Sequence, residues 1–318
     1  MSADSRIIVT GGSGFIGRAL VGELAASGYE VVALTRDPEA VRARLPRGVT
    51  PAKWNGRTAA DWGGLADGAG AIVNLAGDNL AEGRWTKAKK ARIRASRVDA
   101  GTAVVEAVRA AVIKPRVLVQ ASAIGFYGPA GDEDLDESSP SGAGFLAGVV
   151  REWEDSTKAV GSFGVRRAVI RSGLVLGKGG GVWTRLVLPF RFFIGGPLGG
   201  GRQAFSWISL EDEVRAIRHL IEHEDLSGAF NLTAPGPLRQ KEFCRVLGRA
   251  LKRPCWLPVP ALLLRLLFGE KAEETLLAGQ RVIPRRLMAS GFSFLHPDAV
   301  SAVAAILRGG PRGGSLAG

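Results

Sequence analysis

The densest chemical signal in the 318-residue chain is Thr10-Gly11-Gly12-Ser13-Gly14-Phe15-Ile16-Gly17. A short β-branched run, residues 6–10, precedes it, and a stretch of helical periodicity, residues 15–27, follows. The glycines therefore fall where a strand turns into a helix. Gly11 permits the tight turn, Gly14 lets backbone approach a pyrophosphate, and Gly17 lets the helix pack closely on the strand. The helix start at Phe15, Ile16 and Gly17 offers free N–H groups and positive partial charge to an anion. That chemistry is dinucleotide binding.

Beyond its carboxylates, the chain has few groups able to move protons or hold metals. The chain has two tyrosines, Tyr29 and Tyr127, three histidines and two cysteines. Cys244 and Cys255 form no CxxC pair, so neither a disulfide framework nor a cysteine zinc site is expected. His219 and His223 are one helical turn apart, with no third ligand evident in sequence, and read as a surface pair rather than a metal site.

The elements that must position these residues alternate. Strands are expected at 6–10, 30–35, 71–74, 116–122 and 167–171, and helices at 15–27, 37–45, 84–112 and 144–162. Such alternation implies α/β architecture, a doubly wound Rossmann sheet covered on both faces. After Leu176 the texture changes to glycine-rich turns around an apolar segment, residues 186–194, and from 243 the chain reads as mostly helical. The expected division is a nucleotide-binding domain over 1–240, a small C-terminal lobe over 241–308 and a disordered tail over 309–318.

Composition narrows the partners. Apolar residues make up 46% and charged residues 23%, which excludes wholesale disorder. Forty-two Lys and Arg against 30 Asp and Glu give a net charge of +12, a surface that attracts phosphate. The seven basic residues between Arg84 and Arg97 spread around their helix instead of lining one face, so a solvated face is expected and nucleic acid is not. The apolar run at residues 261–268 is broken by Arg265 and is too short to cross a bilayer. With no apolar leader at the start, a cytoplasmic chain with a small-molecule substrate and no membrane partner is expected.

The G-x-x-G-x-x-G spacing resembles the extended branch of the short-chain dehydrogenase/reductase superfamily. In that branch an acid ending the second strand holds the ribose of NAD. Here the strand ends Leu34-Thr35-Arg36; an acid would repel a 2′-phosphate whereas Arg36 can hydrogen-bond one, so NADP(H) is expected. Asp37 takes the ribose position if the strand runs one residue longer. Asn74-Leu75-Ala76-Gly77 resembles the segment that passes beside the adenosine. The branch's Tyr-x-x-x-Lys pair, in which Lys lowers the Tyr pKa for proton transfer, is absent: four residues beyond Tyr29 and Tyr127 stand Ala33 and Gly131. Phe145 and Val149 occupy its expected slots. Ala121 to Gly128 resembles the branch's serine-bearing strand end in either of two registers, leaving Ser122 and Tyr127 as candidate catalytic residues. Arg202 falls where an arginine meets a substrate diphosphate.

Four further stretches, at 84–98, 122–128, 188–199 and 279–284, together resemble an atypical epimerase-like family with a small C-terminal domain of unknown function. The resemblance implies NADP contacts at Thr35, Arg36, Leu75, Ala76 and Arg97, and a homodimer through the helices at 84–112 and 144–162. It leaves open an NADP(H)-dependent epimerase-like oxidoreductase, a non-catalytic NADP(H) sensor or scaffold, and an NAD-dependent nucleotide-sugar epimerase.

Overall fold

The computed structural model describes residues 6–309; most of the tail expected to be disordered, 310–318, lies outside them. In chain order the strands are β1 (Arg6–Thr10), β2 (Glu30–Thr35), β3 (Val49–Lys53), β4 (Ala71–Asn74), β5 (Val117–Ala123), β6 (Asp134–Leu135) and β7 (Arg166–Ser172). They continue as β8 (Leu174–Leu176), β9 (Ala204–Phe205), β10 (Trp207–Ser209), β11 (Gly228–Leu232), β12 (Leu238–Arg239) and β13 (Arg281–Val282). The helices are α1 (Phe15–Ala26), α2 (Pro38–Arg42), α3 (Lys87–Ala110), α4 (Phe145–Asp155) and α5 (Trp183–Arg191). After them come α6 (Leu210–Glu222), α7 (Gln240–Leu251), α8 (Ala261–Phe268), α9 (Arg285–Ala289) and α10 (Ala299–Arg308).

Seven strands form one sheet in the order β11-β7-β5-β4-β1-β2-β3. All its pairings are parallel. Ile7, Ile8, Val9 and Ile72 are buried because helices cover both faces. One core layer joins the sheet to α1 and α6, and a second joins it to α3. The chain winds outward from β1 through β2 and β3, then returns to β4 on the other side. That reversal opens a crevice at the carboxyl ends of β1 and β4, where ligands bind in such sheets.

The last expected helix and both edge strands of the sheet differ from expectation. The helix expected to run to residue 162 ends at Asp155, and a 3₁₀ segment, Lys158–Phe163, follows. Ser156 donates its hydroxyl to the Trp153 carbonyl (2.7 Å) and Thr157 donates its own to the Glu154 carbonyl (3.4 Å), so both side chains compete with the helical ladder, and Arg167 holds Thr157 in place (3.0 Å). The edge strands β3 and β11 were not foreseen; β3, VTPAK, has Pro51 and no apolar run, and β11, GAFNL, opens on a glycine and carries Asn231, which edge positions tolerate.

The C-terminal lobe shares its core with the sheet domain. Phe205, Trp207 and Leu176 pack with Phe243, Leu247, Val303 and Ile306. No helix among the described residues is long and apolar enough to cross a membrane.

Candidate functional site

The crevice is built by the residues that end β1, β4 and β5. Thr10 donates its hydroxyl to Asn74 (2.7 Å), and Asn74 donates to Gln120 (2.9 Å), all fully buried. The Thr10 hydroxyl oxygen also accepts the Leu75 and Ala76 amides at 3.0 and 3.1 Å. This chain fixes the Leu75-Ala76-Gly77 backbone against the glycine turn. Gly11 adopts φ +66°, and a Cβ there would meet the Leu75 carbonyl at 3.1 Å. A Cβ on Gly17 would lie 2.1 Å from the Gly11 oxygen, so only glycine permits this strand–helix approach.

Gly14 caps α1 with no side-chain hydrogen bond, and the first turn holds no acid. The amides at Phe15, Ile16 and Gly17 therefore face the crevice without a competing carboxylate. The Phe15 ring is covered by a second glycine turn: a Cβ on Gly180 or Gly181 would fall 2.6 or 2.8 Å from it.

Beyond β2 the two candidate residues separate clearly. The strand ends at Thr35, which pairs with Lys53. The Asp37 carboxylate accepts the Ala40 amide at 3.0 Å and caps α2. Arg36 is exposed and makes no hydrogen bond or ion pair among the described residues. The longer strand that would have put Asp37 at the ribose is not formed.

Arg97 is a buried cation beside Gly77. It is 8% exposed, donates to the Ile93 and Asp78 carbonyls (3.0 and 3.2 Å), and lies over the Trp153 ring at 4.9 Å. A Cβ on Gly77 would meet its guanidinium carbon at 3.1 Å. Burial pushes its pKa down to about 10, against a small opposing effect of Asp78. No carboxylate forms an ion pair with it among the described residues, so a buried positive charge adjoins the crevice without an anion.

The structure joins Ser122 and Tyr127, but behind the crevice. Ser122 donates to Glu154 (2.6 Å), which is bound on both oxygens by Arg171 (2.9 and 3.1 Å). Arg171 donates to the Tyr127 hydroxyl (3.2 Å), and Tyr127 donates to Asn231 (2.7 Å). All five residues are buried. Burial raises the Tyr127 pKa, with Arg171 opposing. The phenol proton is engaged by Asn231, and Arg171 stacks on Phe126 at 3.4 Å.

Phe145 and Val149 do stand on α4, as the spacing implied. Phe145 packs edge-on against Trp85 (5.3 Å) with the Lys90 ammonium over its ring, and Val149 is buried. Neither carries a proton. A cleft of about 1030 Å³ opens beyond, between Arg202, Arg239, Asp132 and the segment carrying Arg265, Glu273 and Glu274. Arg202 is exposed with no ion pair among the described residues, whereas Arg239 is bound to Asp132 at 3.0 Å.

Several residues of the site escaped sequence reasoning. Glu274 accepts the Phe145 and Leu146 amides (2.7 and 2.8 Å), capping α4 from 128 residues away. Lys271, its pKa lowered by burial, donates to the Ala81 and Gly83 carbonyls, and Arg185 donates to Ala81 as well. No local pattern marks such long-range partners.

Comparison with known proteins accords with this geometry. The NAD dependent epimerase/dehydratase family matches residues 7–233, and a domain of unknown function, DUF1731, matches residues 259–306. The chain is 40% identical over 308 residues to the Arabidopsis thaliana epimerase family protein SDR39U1 homolog, chloroplastic, covering 95% of this chain and 86% of that protein. It is 40% identical over 295 residues to the Mycobacterium tuberculosis epimerase family protein MT2273, covering 92% and 95%. The crystal structure of human epimerase family protein SDR39U1, solved with NADPH, superimposes with a TM-score of 0.85 at 32% identity, covering 96% of this chain and 99% of that one. With the nucleotide turn, the doubly wound sheet and the C-terminal domain all matched, the chain belongs to the NAD dependent epimerase/dehydratase family, in its epimerase-like group that carries DUF1731.

Proposed function

We propose that the chain binds NADP(H) along the carboxyl edge of its sheet and acts as an epimerase-like oxidoreductase on a small carbonyl or nucleotide-linked substrate. The observation that carries the cofactor choice is the division of labour after β2. Asp37 is spent on capping α2, while Arg36 stands free to meet a 2′-phosphate. The amides at Phe15, Ile16 and Gly17 would hold the pyrophosphate, and Arg97 would add positive charge beside Gly77. Thr35, Leu75, Ala76 and Gly77 would lie along the adenosine. The NADPH in the human relative supports the same reading.

When bound, the dinucleotide supplies a hydride donor or acceptor. Arg202, in the cleft wall, would hold an anionic group of the substrate. Ser122 and Tyr127 take a positioning role in this reading, bracing the end of β5 through Glu154 and Arg171. A second reading, a non-catalytic NADP(H) sensor, draws on Phe145 and Val149 standing where the proton-transfer pair would be.

Mass spectrometry of nucleotide released from the purified chain tests the cofactor. NADP is expected, and recovered NAD would overturn the Arg36 argument in favour of an NAD-dependent epimerase. Arg36→Asp should weaken NADPH relative to NADH by about tenfold or more, roughly 1.4 kcal/mol. Oxidation of NADPH by one member of a broad carbonyl panel would establish the enzyme; tight binding without turnover across that panel favours the sensor.

A further inference from the structure

The surface opposite in character to the polar crevice is an apolar patch on α5, α8 and the segments beside them. Phe192 is 68% exposed, Phe193 54% and Trp256 64%. On α8 the outward stripe is Leu262, Leu263, Leu266 and Leu267, while Leu264 alone is buried. Soluble domains rarely leave so many large apolar side chains together in water.

The patch is built, not frayed. Phe193 adopts φ +62°, a left-handed conformation that is costly for a bulky residue. It is held there by its own amide to the Phe190 carbonyl (3.0 Å) and by the Trp256 indole N–H, which donates to the Phe193 carbonyl (2.9 Å). The Trp256 amide donates to Gly195 at 3.0 Å. The fold thus sustains backbone strain to keep an aromatic ring outside.

At the aromatic end of the patch the charge has one sign, whereas at the α8 end Arg265 is paired with Glu273. The sequence has no Asp or Glu between Asp155 and Glu211, and none between Glu242 and Glu270. Arg191, Arg249, Lys252 and Arg253 are exposed and form no ion pair among the described residues. The Arg253 guanidinium lies 4.4 Å from the Phe193 ring centroid. At the aromatic end, apolar side chains flanked by these unpaired cations complement a surface that is negative outside and apolar beneath.

We propose that this patch docks the protein onto an anionic lipid surface, with Phe192, Phe193 and Trp256 entering the headgroup boundary and the flanking cations on the headgroups. Eight residues of helix are about 12 Å long, so α8 lies in the interface and does not cross it. The sequence expectation of no membrane partner rested on the lack of a spanning segment and did not address this mode. Because Arg265 on α8 also lines the cleft, docking brings that wall of the cleft to the lipid headgroups.

Co-sedimentation of the full chain with vesicles tests this. Vesicles of equal parts phosphatidylglycerol and phosphatidylcholine should bind at least about tenfold more tightly than pure phosphatidylcholine, with binding weakened by salt. Phe193→Gly removes the ring and relieves the left-handed backbone, so it should fold at least as stably and lose most of the binding. Arg253→Glu should weaken binding to the anionic vesicles alone, with an unchanged circular dichroism spectrum. Absence of binding, equal binding to both vesicles, or binding indifferent to both substitutions would overturn the proposal. Self-association abolished by the same substitutions, without vesicle binding, would also overturn it and assign the patch to a second copy of the chain.

Discussion

Glu154 shows how much a single side chain can carry at the residue scale. Its carboxylate takes both Arg171 contacts and the Ser122 hydroxyl in a site where all three are buried. Glu154→Ala would leave Arg171 as a buried cation without its partner, a loss of about 3–5 kcal/mol. Urea unfolding measures it, and a change under about 1 kcal/mol would show that the network does not support the fold. Glu213 is the second such residue. It is fully buried, Ser172 donates to one oxygen at 2.6 Å, and the other oxygen has no partner among the described residues. Burial pushes its pKa up from 4.5 to about 8, with Ser172 opposing. The folded chain thus keeps a proton that the unfolded chain releases. This contribution to stability is fully present below the unfolded pKa and is lost as pH rises through the folded one, an effect on the order of a few kcal/mol. Unfolding midpoints at about pH 5 and about pH 8 should fall further in the wild type than in Glu213→Gln, and parallel falls would contradict it. Neither role was legible in the sequence. Glu154 lies 32 residues from Ser122 and Glu213 lies 41 from Ser172, so only the assembled sheet chooses those partners.

At the scale of elements, legibility follows locality. The nucleotide turn was readable because strand, glycines and helix are contiguous; Gly14 and Gly17 are pressed by Gly11 within the turn itself, although Gly11 is pressed by the distant Leu75. The sheet was readable at its central strands, which are apolar on both faces, and unreadable at its two edges, β3 with Pro51 and β11 with Gly228 and Asn231. The break after α4 depends on Ser156 and Thr157 meeting Trp153 and Arg167, the last of these on another strand. In the candidate site, Phe145 and Val149 could be placed from spacing alone, whereas the burial of Tyr127 against Asn231, 104 residues later, could not. The start of α4 gives a direct test. Gly144 offers no side-chain cap, and Glu274 supplies both acceptors instead. Glu274→Ala should destabilise by about 1 kcal/mol, lowering Tm by roughly 2–4 °C. Calorimetry checks this, and an unchanged Tm would mean that solvent caps the helix equally well.

Across the whole molecule, the two matched family regions share one interior. Phe205, Trp207 and Leu176 from the first region lie in one core cluster with Ala299, Ala302, Val303 and Ile306 from the second, joined by Phe243 and Leu247 from α7 between the two. Thermal unfolding should therefore be a single transition seen alike by fluorescence and far-ultraviolet circular dichroism. Two separated transitions would show that the lobes stand independently. The excess of positive charge, legible at once as a composition, resolves into unlike groups on the surface. Arg36 and Arg97 adjoin the crevice, Arg202 lines the cleft, and Arg191 and Arg253 border the apolar patch. Many others are engaged with acids, as Lys89 and Arg92 are with Asp78.

Glu274 belongs to two neighbourhoods at once, the wall of the cleft and the first turn of α4. A cationic group entering the cleft would compete with the Phe145 and Leu146 amides for the same carboxylate, and the two demands cannot both be met in full. Occupancy of the cleft and fraying of the helix that carries Phe145 and Val149 are then linked equilibria, so a guest is felt by α4 without touching it.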